Sequence, residues 1–170
     1  MAESSTMGGG ARERRDRDGA GRPRNARPRD GLGRPLPRGA TGVPTTPEDV
    51  VLSPSAALTQ AQRLIEAGQP FHAHEVLEGV WKSAPDNERE LWRGLAQLAV
   101  GLTHGARGNP TGASRLLLRA AERVARYADR APHGIPAADL ASWATELARH
   151  IERHGLEQIP ASALTPRLHS

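Results

Sequence analysis

Cysteine is absent from this sequence, which excludes disulfides, thiolate metal sites and cysteine nucleophiles and suits a reducing cytoplasm. Aromatic residues are scarce, at 3% of 170. All five (Phe71, Trp81, Trp92, Tyr127 and Trp143) fall between positions 71 and 143, so the packed region must centre there. Long apolar runs are missing as well. No stretch of about 18 apolar residues exists, and the twin pair Arg14 and Arg15 is followed by no apolar segment of signal-peptide length. A soluble, cytoplasmic chain with no membrane partner is the expectation. No segment alternates with period two, so no strands are expected.

Lysine is nearly absent too: arginines outnumber lysines 22 to one. Ten of the arginines lie in residues 1–52, with seven acids, nine glycines, six prolines and no aromatic. A segment of that composition buries too little apolar surface to offset the entropy of ordering it, and reads as a disordered tail. Its basic residues alternate with Glu13, Asp16, Asp18 and Asp30, and nothing in it stacks on bases. Phosphate neutralisation alone is sequence-independent, so no specific nucleic-acid partner is expected.

What is present from Ser53 onward is helical periodicity with clear punctuation. Ser53–Pro54 is a helix start, and Leu58, Ala61 and Ile65 share a face until Gly68. Pro70 opens a second helix with Ala73, Val76, Leu77, Val80 and Trp81 on one side. Asp86 reads as the cap of a third, with Glu88 and Glu90 where the helix dipole favours anions. Leu91, Leu95, Leu98 and Leu102 line one side of it, and Trp92, Ala96, Ala99 and Thr103 the next, so the third helix should sit centrally. Gly108 ends it, Asn109 caps the fourth and Pro110 takes its first position, a link short enough to make these two helices antiparallel neighbours. The fourth buries Ala113, Leu117, Ala120 and Val124 and shows an arginine face to solvent. After APHGIP, a fifth carries Leu140, Trp143, Ala144, Leu147 and Ile151 up to Gly155. The fold class is therefore all-α, a single compact bundle of about five helices over 53–155, with 1–52 in front and 156–170 as a C-terminal tail.

The stretch FHAHEVLEGVW, residues 71–81, concentrates ionisable groups. His74 and Glu78 are four apart and share a helical face at the margin of the apolar stripe, with Trp81 one turn further on; Glu75 points to the exposed side. Burial there would perturb their titration. A zinc protease motif needs histidine where Glu78 stands. A divalent metal is the one cofactor these residue types would suit, with His74 and Glu78 as ligands and His104 added from the third helix. Gln97 and His104, seven apart, share a face of that helix. If it meets the second helix, His74, Glu75, Glu78, Trp81, Gln97 and His104 form one polar cluster. The structural alternative is that these groups satisfy one another and the backbone, as buried polar groups usually do. Glu146, His150 and His154 repeat the four-residue spacing on the fifth helix, but their charged neighbours mark a solvated face.

Three ordered blocks carry a resemblance: FHAHEVLEGVW, then GLAQLAVGLTH over 94–104, then GNPTGA over 108–113. Together they resemble the domain-of-unknown-function family 309, over roughly residues 58–153. The resemblance implies a small all-helical bundle and no known activity. It places the family's motif positions on His74, Glu75, Glu78, Trp81, Gln97, His104, Asn109 and Gly112, the last two at the structural corner. Gly79 and Val80 depart from the bulkier or acidic residues common there, and the arginine-rich front lies outside the resemblance. Two function classes stay open. One is a non-enzymatic structural or interaction module whose partner is a protein or a second copy of the chain. The other is a hydrolase-like metal-dependent or acid–base enzyme using His74, Glu78 and facing third-helix residues.

Overall fold

The structure, a computed structural model, describes residues 27–45, 47 and 50–170. Five helices follow one another: α1 (Pro54–Glu66), α2 (Pro70–Ser83), α3 (Asp86–Ala106), α4 (Pro110–Ala125) and α5 (Ala137–His154). Short 3₁₀ turns lie at Pro132–Gly134 and Ala161–Leu164. Each helix packs chiefly on its chain neighbours. No strand occurs among the described residues; an isolated bridge joins Arg29 to Pro35. The disorder expected of residues 1–26, 46, 48 and 49 concerns positions outside the described residues.

Local chemistry accounts for the helix ends. The Ser53 hydroxyl accepts from the Ala56 amide at 3.2 Å, and the Asn109 side chain accepts from the Gly112 amide at 2.9 Å, each satisfying an amide that the helix itself cannot. One expected cap is different. Asp86 is the first helical residue rather than the cap; Pro85 holds the extended cap position, and no side-chain cap bond forms. Proline's fixed φ suits that position, which leaves Asp86 almost fully exposed and only loosely paired with Arg89.

α3 sits centrally, against both α2 and α4. Leu91, Trp92, Leu95, Leu98 and Ala99 are all buried on it. Two glycines seven residues apart set its distance from α4. A Cβ on Gly94 would come within 2.9 Å of Val124 Cγ2, and one on Gly101 within 3.0 Å of Leu117 Cγ. The first is closer than real Cβ atoms pack and the second is tighter than most, so a side chain at either position would have to displace its α4 neighbour.

Two segments read from the sequence as tails lie against the bundle. At the C-terminus Leu168 is fully buried, its amide donates to Gln62 Oε1 of α1 at 2.8 Å, and Gln62 Nε2 donates to the Pro166 carbonyl at 3.1 Å. Trp143 Nε1 of α5 donates to the Ala163 carbonyl at 3.1 Å. The returning chain thus bonds to both outer helices. In front, residues 27–45 form a looped strap. The Leu36 amide donates to the Pro28 carbonyl and the Val43 amide to the Arg29 carbonyl. Asp30 Oδ1 accepts from the amides of Leu32 and Arg34, the turn chemistry that aspartate before glycine supplies.

Candidate functional site on the second helix

The FHAHEVLE segment lies wholly on α2. His74 Nε2 is 3.5 Å from Glu78 Oε2, and Lys82 Nζ is 3.1 Å from Glu78 Oε1, so three residues at four-residue spacing form one ladder along the helix. His74 Nδ1 is buried with no hydrogen-bond partner. Burial holds the imidazole below the usual histidine range, against the Glu78 and Glu75 carboxylates that raise it, with Lys82 lowering it further. The fold therefore favours neutral His74. Its contribution is fully present above the unfolded value near 6.5 and is lost as pH falls through that value, levelling off below the folded one. Chemical denaturation from about pH 8 to 5 is expected to show a shallower loss of stability for His74→Gln than for wild type. Equal slopes would contradict the assignment.

Glu75 is not turned to solvent. Its Oε2 lies 3.2 Å from Nδ1 of His72, whose Nε2 donates to the Asp30 carbonyl of the strap at 2.9 Å. His72 is 97% shielded and was not singled out in the sequence. The available signal was its register: it stands four residues before Val76 and eight before Val80, on a buried face where a polar ring must find partners. Beside it, the Phe71 ring carries the Arg29 guanidinium at 4.9 Å and the Arg107 guanidinium at 5.7 Å.

The third-helix residues expected to join His74 and Glu78 are engaged elsewhere. Gln97 Oε1 accepts from Arg123 Nε of α4 at 3.0 Å. Arg123 also bonds Glu90, and Glu90 accepts from Arg93 at 3.4 Å. Arg93 in turn lies 5.6 Å over the Trp81 ring. So Trp81, Arg93, Glu90, Arg123 and Gln97 make one polar tie across α2, α3 and α4. Arg123 is thereby drawn out of the arginine face, while Arg115 and Arg119 remain exposed. His104 turns to the corner: Asn109 Nδ2 donates to its Nδ1 at 2.9 Å while Asn109 Oδ1 caps Gly112. A Cβ on Gly112 would meet Asn109 Nδ2 at 2.5 Å and His104 Nδ1 at 2.8 Å, which is why the corner takes glycine. The set His74, Glu78 and His104 is thus not assembled as a ligand group. Among the described residues no group of three or more His, Cys, Asp or Glu is arranged to hold a metal ion. That includes Glu146, His150 and His154, although the rings of His150 and His154 approach to 4.9 Å.

The three blocks divide the labour: one caps a corner, one ties three helices, and one faces the strap. Residues 58–116 match the family model described as Domain of unknown function (DUF309). The match agrees with the resemblance carried by the three motif blocks and stops early in α4, short of the end at about residue 153 expected from sequence. The chain is also similar to the "Uncharacterized protein YpuF" of Bacillus subtilis (strain 168), with 48% identity over 48 residues. That alignment covers 28% of this chain and 28% of the relative, so the chain spans little more than a quarter of the curated relative it matches. No solved structure matches the chain. No helix among the described residues is long and apolar enough to cross a membrane.

Two further features surround the DUF309-matching region. A groove of about 490 Å³ runs along α2, lined by Val50, Leu52, Val76, Gly79 and Val80, with Glu75, Glu78 and Lys82 also on its wall. Val50 and Val51 are the exposed large hydrophobics among the described residues, and both line it. At the start of α3, Glu88 Oε2 accepts from His133 Nε2 at 2.7 Å and from the indole of buried Trp92 at 3.2 Å. The His133 bond, helped by Trp92, holds the Glu88 carboxyl below its usual range, against the effect of burial. Sequence had read Glu88 only as a helix-dipole anion. The partner 45 residues away was invisible to that reasoning.

Proposed function

We propose that this chain is a non-enzymatic helical interaction module, whose α2 groove takes an apolar segment of a partner protein. One observation carries this: the exposed large apolar side chains of the described residues, Val50 and Val51, both line the groove beside α2. Exposed apolar surface gathered in a concavity is the usual mark of a contact site. Gly79 supports it, since a Cβ there would meet nothing within 4 Å and the helix surface stays open at mid-groove. The acid–base alternative draws less support. Glu78 has one oxygen beside His74 and the other beside Lys82, and the third-helix groups that would complete a reaction site are bonded to Arg123 and Asn109.

A benzophenone amino acid placed at position 79 of the full chain in its host cells tests the reading, with the same probe at exposed Arg115 as control. Light-dependent adducts with a protein at 79, absent at 115, are the expected result. Adducts at neither position, or equally at both, would overturn it.

A further inference from the structure

Only one of the two straps is fastened by core burial. The C-terminal strap inserts Leu168 into the core, fully shielded. The front strap contributes no residue to the core, which begins at Ala57; Leu32 and Leu36 are half-buried, and its one fully buried residue is Gly33. A segment held by two hydrogen bonds, one of them from the buried His72, and by a single aromatic face, with no apolar side chain in the core, opens at lower cost than one with a buried leucine.

Those contacts have the form of peptide recognition. The bundle donates to alternate strap carbonyls, His72 Nε2 to Asp30 at 2.9 Å and Arg107 Nε to Leu32 at 3.0 Å, which reads backbone rather than side chain. Gly33, at φ 74°, presses so closely on the Phe71 ring that a Cβ would fall 2.0 Å from its Cγ. Only glycine fits there, both for the left-handed backbone and for the ring. Arg29 supplies its guanidinium to the same ring at 4.9 Å and bonds the Gly33 carbonyl, so arginine and glycine four residues apart close one turn over Phe71. Asp30 Oδ1, through the Leu32 and Arg34 amides, shapes that turn from within.

We infer that the Phe71–His72 end of α2 is a docking site for an arginine-bearing glycine turn of a partner protein, filled in cis by residues 29–34, which gate it. The inference deepens the interaction reading and rests on it, while using the opposite end of α2 from Gly79. A partner segment of the same chemistry enters by displacing the strap.

The test uses the full chain and a fluorescent synthetic peptide of residues 27–43, read by anisotropy. Gly33→Val in the protein evicts the strap and leaves every bundle residue intact. This variant is expected to bind the peptide at least tenfold more tightly than wild type. Binding should be lost again in Gly33→Val/Phe71→Ala, and for a peptide carrying Gly33→Val. Arg29→Glu, which needs no backbone change, should open the site in the same direction if Gly33→Val disturbs folding. Equal peptide binding by wild type and both strap variants would overturn the gate, and binding that survives Phe71→Ala would overturn the site. A concentration-dependent wild-type dimer that Gly33→Val abolishes would assign the site to a second copy's strap, and so overturn the partner-protein form. Adducts at position 79 with no peptide binding to either strap variant would leave the groove reading standing and this one refuted.

Discussion

Trp92→Ala is expected to cost about 3–5 kcal/mol of folding stability, the range for removing a fully buried indole. Trp92 has no exposed surface and is the largest of the fully shielded side chains. It lies on α3, its ring 5.7 Å from that of His133 in the α4–α5 connection, and a packed core fills only part of the space a removed indole leaves. The truncation also strips Glu88 of one of its two donors, leaving His133 to hold the carboxylate alone. Urea denaturation should show a lower midpoint with an unchanged slope, and melting should fall by roughly 6 °C or more. The half-buried Trp143 provides the contrast. Its replacement by alanine removes the bond to the Ala163 carbonyl and should loosen the C-terminal strap at smaller cost. Similar losses for the two tryptophans would contradict the central place given to α3.

Gly101→Leu is expected to cost at least about 1–3 kcal/mol, because added volume in a packed interface forces strained rotamers or a backbone shift. The Cβ alone would stand 3.0 Å from Leu117 Cγ and 3.3 Å from the Leu117 amide nitrogen; the isobutyl group has no free direction toward α4. Gly79→Leu makes the same chemical change on α2 where a Cβ meets nothing within 4 Å. There the gain in helix propensity over glycine, up to about 1 kcal/mol, should leave the fold neutral or stabilised. The melting temperature of Gly101→Leu should therefore fall while that of Gly79→Leu holds or rises. Equal shifts would mean that the α3–α4 spacing is not set by glycine.

The helices were legible because their signals are local. Ser53 and Asn109 cap where expected, and the buried stripes of α1, α4 and α5 follow the 3.6 period. What sequence did not reveal depends on which faces meet. α3 is apolar over most of its circumference, so its pattern did not say whether Gln97 would look to α2 or to Arg123 of α4. His104 found its partner five residues along the chain, past the end of its own helix. The straps escaped for a different reason. An average over glycine, proline and arginine reads as unfolded chain, whereas order in residues 27–45 rests on the Asp30–Gly31 turn and on one glycine that touches an aromatic ring. In the C-terminal tail Leu156, Ile159, Leu164 and Leu168 are spaced three, five and four apart around two prolines, which leaves no helical or strand period to mark Leu168 as the buried one.

Within the three sequence blocks, polar side chains hold polypeptide in place: His72, beside the motif positions, the strap, Gln97 the α3–α4 tie and Asn109 the corner. The direct measurement is thermal melting of the full chain with His72→Ala, Gln97→Ala and Asn109→Ala, each compared with Arg115→Ala on the exposed face of α4. Each of these changes removes a bonded polar partner worth about 1 kcal/mol, so each of the three should lower the melting temperature by roughly 2–4 °C while Arg115→Ala leaves it unchanged. Melting of all three variants with wild type would contradict a structural role for these side chains.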